Sequence, residues 1–197
     1  MNKKPFAAAA QQNQDVILNV LQNEFHNAKK VLEIGSGTGQ HAAYFSEHLP
    51  HLVWQASDKL ENIPGISMWL QDCKNTPSPI TLDVLGTWPK DKYDSAFAAN
   101  VAHIMHWNEI EAMFTGLGNT LSEHAVFCLY GPFNINGNYT SASNERFDQW
   151  LKNRDPLACI RDRDDLTKLA SNNNLVISSE YQMPANNMII CWKKTGK

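Results

Sequence analysis

The stretch that decides the fold is KKVLEIGSGTGQHAAYF, Lys29 to Phe45. Val31, Leu32 and Ile34 form a short apolar run broken by one acid, Glu33, the composition of a strand buried on both faces. Gly35, Gly37 and Gly39 follow at alternate positions, with Ser36 and Thr38 between them. Gln40 to Leu49 then reads as a helix that stops at Pro50. Glycine permits positive φ and lets a ligand lie against bare backbone. Three of them between a strand and a helix exceed what a tight turn needs. In an open α/β sheet this position, the C-terminal end of the first strand, is where ligands bind.

Outward from that stretch, strands and helices alternate. Ile17, Val20, Leu21 and Phe25 recur at helical spacing before it. After it come strands at LVWQASD and PITLDV, with the helical SMWLQDC between them, and a fourth strand in YDSAFAANVAHI that runs into a turn. Trp107, Ile110, Phe114, Leu117 and Leu121 mark a core-facing helix, and HAVFCLYGPF a fifth strand. Asn134 to Ser143 is rich in Asn, Gly and Ser, the chemistry of a loop. A helix carrying Phe147, Trp150 and Leu151 on one face follows, then a shorter one capped by Asp164 or Asp165 and ended by Asn172 to Asn174. LVISSEY and NMIICWKK close the chain as strands joined by QMPANN without a helix. The expected fold is α/β, a mostly parallel sheet with an antiparallel end and helices on both faces.

The 197 residues suit a single domain, 1–197, with 43% apolar and 19% charged residues, a soluble globular balance. A net charge of -3 and scattered Lys and Arg argue against nucleic acid as a partner. No run approaches a membrane span, and Phe6 to Ala10 is too short for a signal peptide. Cys73, Cys128, Cys159 and Cys191 lie far apart and form no Cys-x-x-Cys, as in a reduced, cytoplasmic protein.

Two frames compete for the glycines. From Gly37, GTGQHA fits G-x-G-x-x-A, a dinucleotide fingerprint whose helix start holds a pyrophosphate. From Glu33, EIGSGTG fits E-x-G-x-G-x-G, which resembles the first motif of class I methyltransferases that use S-adenosylmethionine. The second frame sets an acid near a cationic amino-acid portion, where a pyrophosphate would be repelled. Asp58 ends the second strand, placed to accept from both ribose hydroxyls in either frame. Asp83, with Val84 after it, lies where class I methyltransferases often face the adenine amino group. A dehydrogenase normally adds a substrate domain, for which this chain has no room. The methyltransferase frame is therefore preferred, with a small NAD(P)-binding oxidoreductase and a binding module without turnover as rivals.

A narrower resemblance rests on GSGTGQHAAYF, NVAHI, YGPFNINGNYTSASNERFDQWL, IRDRDDLTKLA and MPANN, in order along nearly the whole chain. These segments resemble domain of unknown function 938, a methyltransferase family that includes methyltransferase-like protein 26. The resemblance implies a Rossmann-like, seven-stranded class I fold and S-adenosylmethionine binding, but no substrate. It leads one to expect Arg-Asn before the first helix; Gln12-Asn13 stands there.

Transfer from a sulfonium needs alignment more than activation, and a base only where the acceptor holds its proton near neutral pH. The candidates therefore sit after strands four and five. Asn100 is expected near the cofactor's amino-acid end, and His103 is the first choice of base because imidazole titrates near neutrality. Tyr130 and Phe133 are expected to wall a small-molecule pocket, with Tyr130 as a hydrogen-bonding partner. Arg161 is a candidate for an anionic substrate group or an ion pair beside Asp162. His103, His106 and Glu109 recur every three residues, a spacing that drifts around a helix and gives no metal site.

Overall fold

A computed structural model describes residues 3–196. Its seven strands are β1 (Lys30–Ile34), β2 (Val53–Asp58), β3 (Ile80–Thr81), β4 (Tyr93–Ala99), β5 (Leu121–Gly131), β6 (Leu175–Met183) and β7 (Asn187–Lys194). They form one sheet in the order β3-β2-β1-β4-β5-β7-β6. Neighbours from β3 to β5 pair parallel, whereas β7 runs antiparallel to both β5 and β6. The order turns back between β1 and β4, and a crevice opens at such a reversal.

Alternation along β1 sends Leu32 and Ile34 to one face and Val31 to the other. The first face packs under α4 (Trp107–Thr120) and α6 (Arg163–Ser171), through Phe114, Leu117 and Leu166 against Phe127 and Trp192. The second packs under α1 (Ala8–Glu24), α2 (Gln40–His48) and α3 (Ile63–Leu70), through Ile17, Leu21, Phe45 and Ile66 against Trp54 and Phe97. Helix α5 (Ala142–Arg154) has a small core of its own, Leu151 with Ala158 and Ile160. Among the described residues no helix is long and apolar enough to cross a membrane.

Several boundaries differ from the sequence reading. Strand β3 is only two residues, because Leu82 turns away and Asp83 folds back to accept from the Leu85 N–H at 3.0 Å. Strand β5 starts at Leu121, directly from α4, and the left-handed His124 lies inside it. The cap of α6 is Asp162, which accepts from the Asp164 N–H at 2.8 Å. Trp107 is partly exposed, its indole donating to Glu111, and contributes nothing to the core. Gln12 and Asn13 lie within α1, not before it.

Candidate active site

The glycine loop follows β1, and each glycine has a positive φ: +69° at Gly35, +57° at Gly37 and +88° at Gly39. Their surroundings differ. A Cβ on Gly35 would stand 2.6 Å from Val101 Cγ1, so the loop after β4 presses on this backbone. A Cβ on Gly39 would stand 2.8 Å from Ile66 Cα, where α3 crosses the start of α2. A Cβ on Gly37 would meet nothing within 4 Å. That position faces open space at the sheet's switch point.

Two acids hold the loop. Glu33 shares its face of the sheet with Trp54 and is only 2% exposed. Its Oε2 accepts from Ser36 Oγ at 2.8 Å and from Trp54 Nε1 at 3.0 Å. Burial pushes its carboxyl up to about 7, against the lowering effect of those two hydrogen bonds. Glu33 therefore fixes the loop from beneath through Ser36. Asp58 works from the end of β2: Oδ2 accepts from the Gly37 N–H at 2.7 Å, and Oδ1 from Lys59 N and Asn62 Nδ2. A carboxylate offers about four acceptor positions, so the chain itself uses most of them.

The start of α2 is covered. The Ala7 N–H donates to Gln40 Oε1, which also accepts from Thr38 Oγ1. Pro5 lies on Gly65, and its carbonyl accepts from Trp69 Nε1 at 2.7 Å. The segment before α1 thus crosses the helix end that the dinucleotide frame would need open.

A cleft of about 900 Å³, lined by none of the glycine-loop residues nor by Asp58 or Asp83, opens between α1, the ends of β4 and β5, α5 and the Pro184–Asn187 corner. Asn100, His103 and Tyr130 all line it, so three of the expected residues do converge. Asn100 has a left-handed backbone and its N–H donates to the Tyr130 carbonyl at 2.9 Å. His103 is buried, with its ring edge on Phe147 at 5.2 Å. Burial, and then the positive charge of Arg161, lower it to about 4, so it is neutral at physiological pH instead of titrating there. Burial raises the Tyr130 hydroxyl, which keeps its proton; the Asn13 side chain bonds to it and partly opposes that rise. Asn13 Oδ1 also lies 2.8 Å from His41 Nε2, a ring that burial lowers to about 4.

Other expected residues lie elsewhere. Arg161 is 8% exposed and donates to the carbonyls of Ala102, Met105 and Leu157 and to Cys159 Sγ. It makes neither an ion pair with Asp162 nor a contact with the cleft, because its donors hold the loop after β4 in place. Phe133 is fully buried in the α4 face of the core, and Pro132 takes its place on the cleft wall. Val84 is likewise core, while Asp83 beside it is exposed. His106 Nε2 bonds Asp155 Oδ2 at 2.6 Å, and Glu109 accepts from the His106 N–H.

The cleft also has lining residues that the sequence reading left unassigned: Gln12, Asn13, Phe147, Trp150, Arg154 and Asn186. The helical spacing of Phe147, Trp150 and Arg154 offered a local signal; the others meet them through tertiary packing. The corner itself is strained, with Ala185 and Asn186 both at φ +58°, and α5 holds it through Asn144 Nδ2 to the Asn186 carbonyl at 2.9 Å.

A family model described as protein of unknown function (DUF938) matches residues 4–194. Among solved structures, an O-methyltransferase family protein from Burkholderia thailandensis superposes with a TM-score of 0.84 at 11% identity, over 95% of this chain and 57% of that one. Human N-acetylserotonin methyltransferase in complex with SAM gives a TM-score of 0.81 at 11% identity, over 95% and 53%. An O-methyltransferase family 2 protein from Planctomyces limnophilus, in complex with apigenin, gives 0.74 at 10% identity, over 93% and 62%. These likenesses establish the class I methyltransferase fold. The chain spans a little over half the length of the structures it matches.

Proposed function

The chain belongs to the DUF938 family, and on that premise we propose that it is an S-adenosylmethionine-dependent methyltransferase acting on a small molecule. One observation carries the reading. All three glycines are left-handed, but a Cβ on Gly35 or Gly39 would also press on Val101 or Ile66, whereas one on Gly37 would meet nothing within 4 Å. Its positive φ already favours glycine, and the open space over it leaves that backbone accessible to a ligand at the switch point. The Ala7 contact with Gln40 at the start of α2 disfavours a pyrophosphate there, and hence the NAD(P) frame. The matched structures named above are all called methyltransferases, one of them in complex with SAM.

When bound, the cofactor supplies a methyl group on a sulfonium: the acceptor's lone pair bonds the methyl carbon as the carbon–sulfur bond breaks, and its electron pair stays on sulfur. In this reading Gly35, Ser36, Gly37 and Gly39 form the floor, kept in shape by Glu33. Asp58 accepts from the ribose hydroxyls, and binding both requires it to release one bond it now makes, such as that from Gly37. Asp83, exposed at the end of β3 beside Val84, meets the adenine edge. Asn100 stands between the cofactor's amino-acid end and the cleft. Neutral His103 and the protonated Tyr130 orient the acceptor; His103 takes a proton only from an acceptor acidic enough to give it to so weak a base.

Thermal-shift titration with S-adenosylmethionine, S-adenosylhomocysteine and NAD separately is the test. A ligand at a hundred times its dissociation constant adds about 2.7 kcal/mol, roughly 5–11 °C for a domain of this size. Stabilisation by the two sulfur nucleosides is expected; stabilisation by NAD alone overturns the reading. Methyl transfer to a panel of small acceptors then separates an enzyme from a binding module.

A further inference from the structure

Resting on that reading, we propose that the methyl acceptor is a planar aromatic acid, its ring lying along Phe147 and Trp150 and its carboxylate meeting Arg154. Contacts run unbroken outward from the reaction end. The His103 ring stands edge-on to Phe147, Phe147 stacks on Trp150 at 5.8 Å with 17° between planes, and the Arg154 guanidinium lies 4.6 Å from the Trp150 ring centre. Phe147 packs in part on the small core beneath α5, but Trp150 does not. Leu151 seats α5 on Ala158 and Ile160, whereas Trp150 is 50% exposed and faces the cleft.

The charge of the wall points the same way. Arg154 has no carboxylate partner among the described ion pairs, although Lys152 on the same helix is paired with Asp148 at 2.6 Å. Behind the wall, Arg161 is buried on neutral carbonyls, and its field reaches His103 and Asp155. The one opposing charge, Asp155, is occupied by His106 and by the Leu157 N–H at 3.0 Å. With Asp155 engaged, Arg154 is the lining charge left without a carboxylate partner among the described ion pairs, and the buried Arg161 behind the wall adds to the positive field. A guanidinium held over an indole by cation–π attraction still has N–H donors to offer a carboxylate. A cleft of about 900 Å³ takes a bicyclic ligand with room to spare.

Calorimetric titration of the full chain tests this with 2-naphthoate, 4-hydroxycinnamate and indole-3-acetate, each against its primary amide, with and without saturating S-adenosylhomocysteine. The acids are expected to bind about tenfold or more tighter than the amides. Arg154→Gln should remove that preference and leave amide affinity unchanged, Arg154→Lys should keep part of it, and Trp150→Ala should weaken acids and amides alike. Equal affinity for acids and amides, or an Arg154→Gln effect common to both, overturns the inference. S-adenosylhomocysteine binding without acid preference sinks this inference alone. Acid preference without S-adenosylhomocysteine binding sinks the methyltransferase reading and leaves the acid site standing.

Discussion

Replacing Glu33 with glutamine should change how stability responds to pH, by an amount the site itself sets. The carboxyl is 2% exposed, and a single oxygen, Oε2, receives both Ser36 and Trp54. Burial raises it from 4.5 to about 7. Between these values the folded chain keeps a proton that the unfolded chain has lost, so stability falls as pH rises. The contribution is fully present below 4.5 and lost above 7. At 1.36 kcal/mol per pH unit, the change is about 3 kcal/mol. Glutamine imitates the protonated acid in shape and can accept the same two donors, but it does not titrate. Urea unfolding of both proteins from pH 4.5 to 8.5 should therefore show Glu33→Gln gaining about 3 kcal/mol on the parent across the window, roughly 6–12 °C in melting temperature. Taking the difference cancels the other titrating groups, including His41 and His103, whose lowered values act in the opposite sense. Parallel curves would refute the reasoning: Glu33 would then be ionised in the fold as it is in the unfolded chain.

The glycines should separate fold from function. Gly39→Ala forces a Cβ to 2.8 Å from the α3 backbone and should cost about 2–5 kcal/mol. Gly37→Ala meets nothing and should cost only about 1–2 kcal/mol, while lowering S-adenosylhomocysteine affinity at least tenfold; melting curves and calorimetry on both variants check it. Arg161→Met leaves the carbonyls of Ala102, Met105 and Leu157 without their donor, a loss of about 3 kcal/mol or more. It also removes the charge that depresses His103, so the His103 ring should titrate above its parent value of about 4 by NMR; an unmoved titration would show that burial alone sets it.

What could be read from the sequence is what local chemistry fixes. KVLEIG announced β1 because an apolar run of that length followed by glycines has few alternatives, and the helix-free QMPANN link announced the antiparallel β7. Asn100, His103 and Tyr130 reached one cleft because the C-terminal ends of neighbouring parallel strands lie at the same edge. The errors share a different cause. Arg161 and Phe133 carry the right groups for a pocket, yet direction decides their roles, and direction depends on partners far along the chain: Ala102 is 59 residues from Arg161. The lowered His103 imidazole was hidden for the same reason, since its surroundings, including Phe147 and Arg161, come from beyond its own segment. The sequence places Trp150 on one helix face with Phe147 and Leu151 but gives it no role, because helical spacing shows which residues share a face, not whether that face meets a sheet or a cleft. The N-terminal crossing over α2 is the sharpest case. Nothing in KKPFA suggests that Ala7 will bond to Gln40 or that Pro5 will lie on Gly65. That contact nonetheless weighs between the two glycine frames, because it covers the helix start a pyrophosphate would occupy.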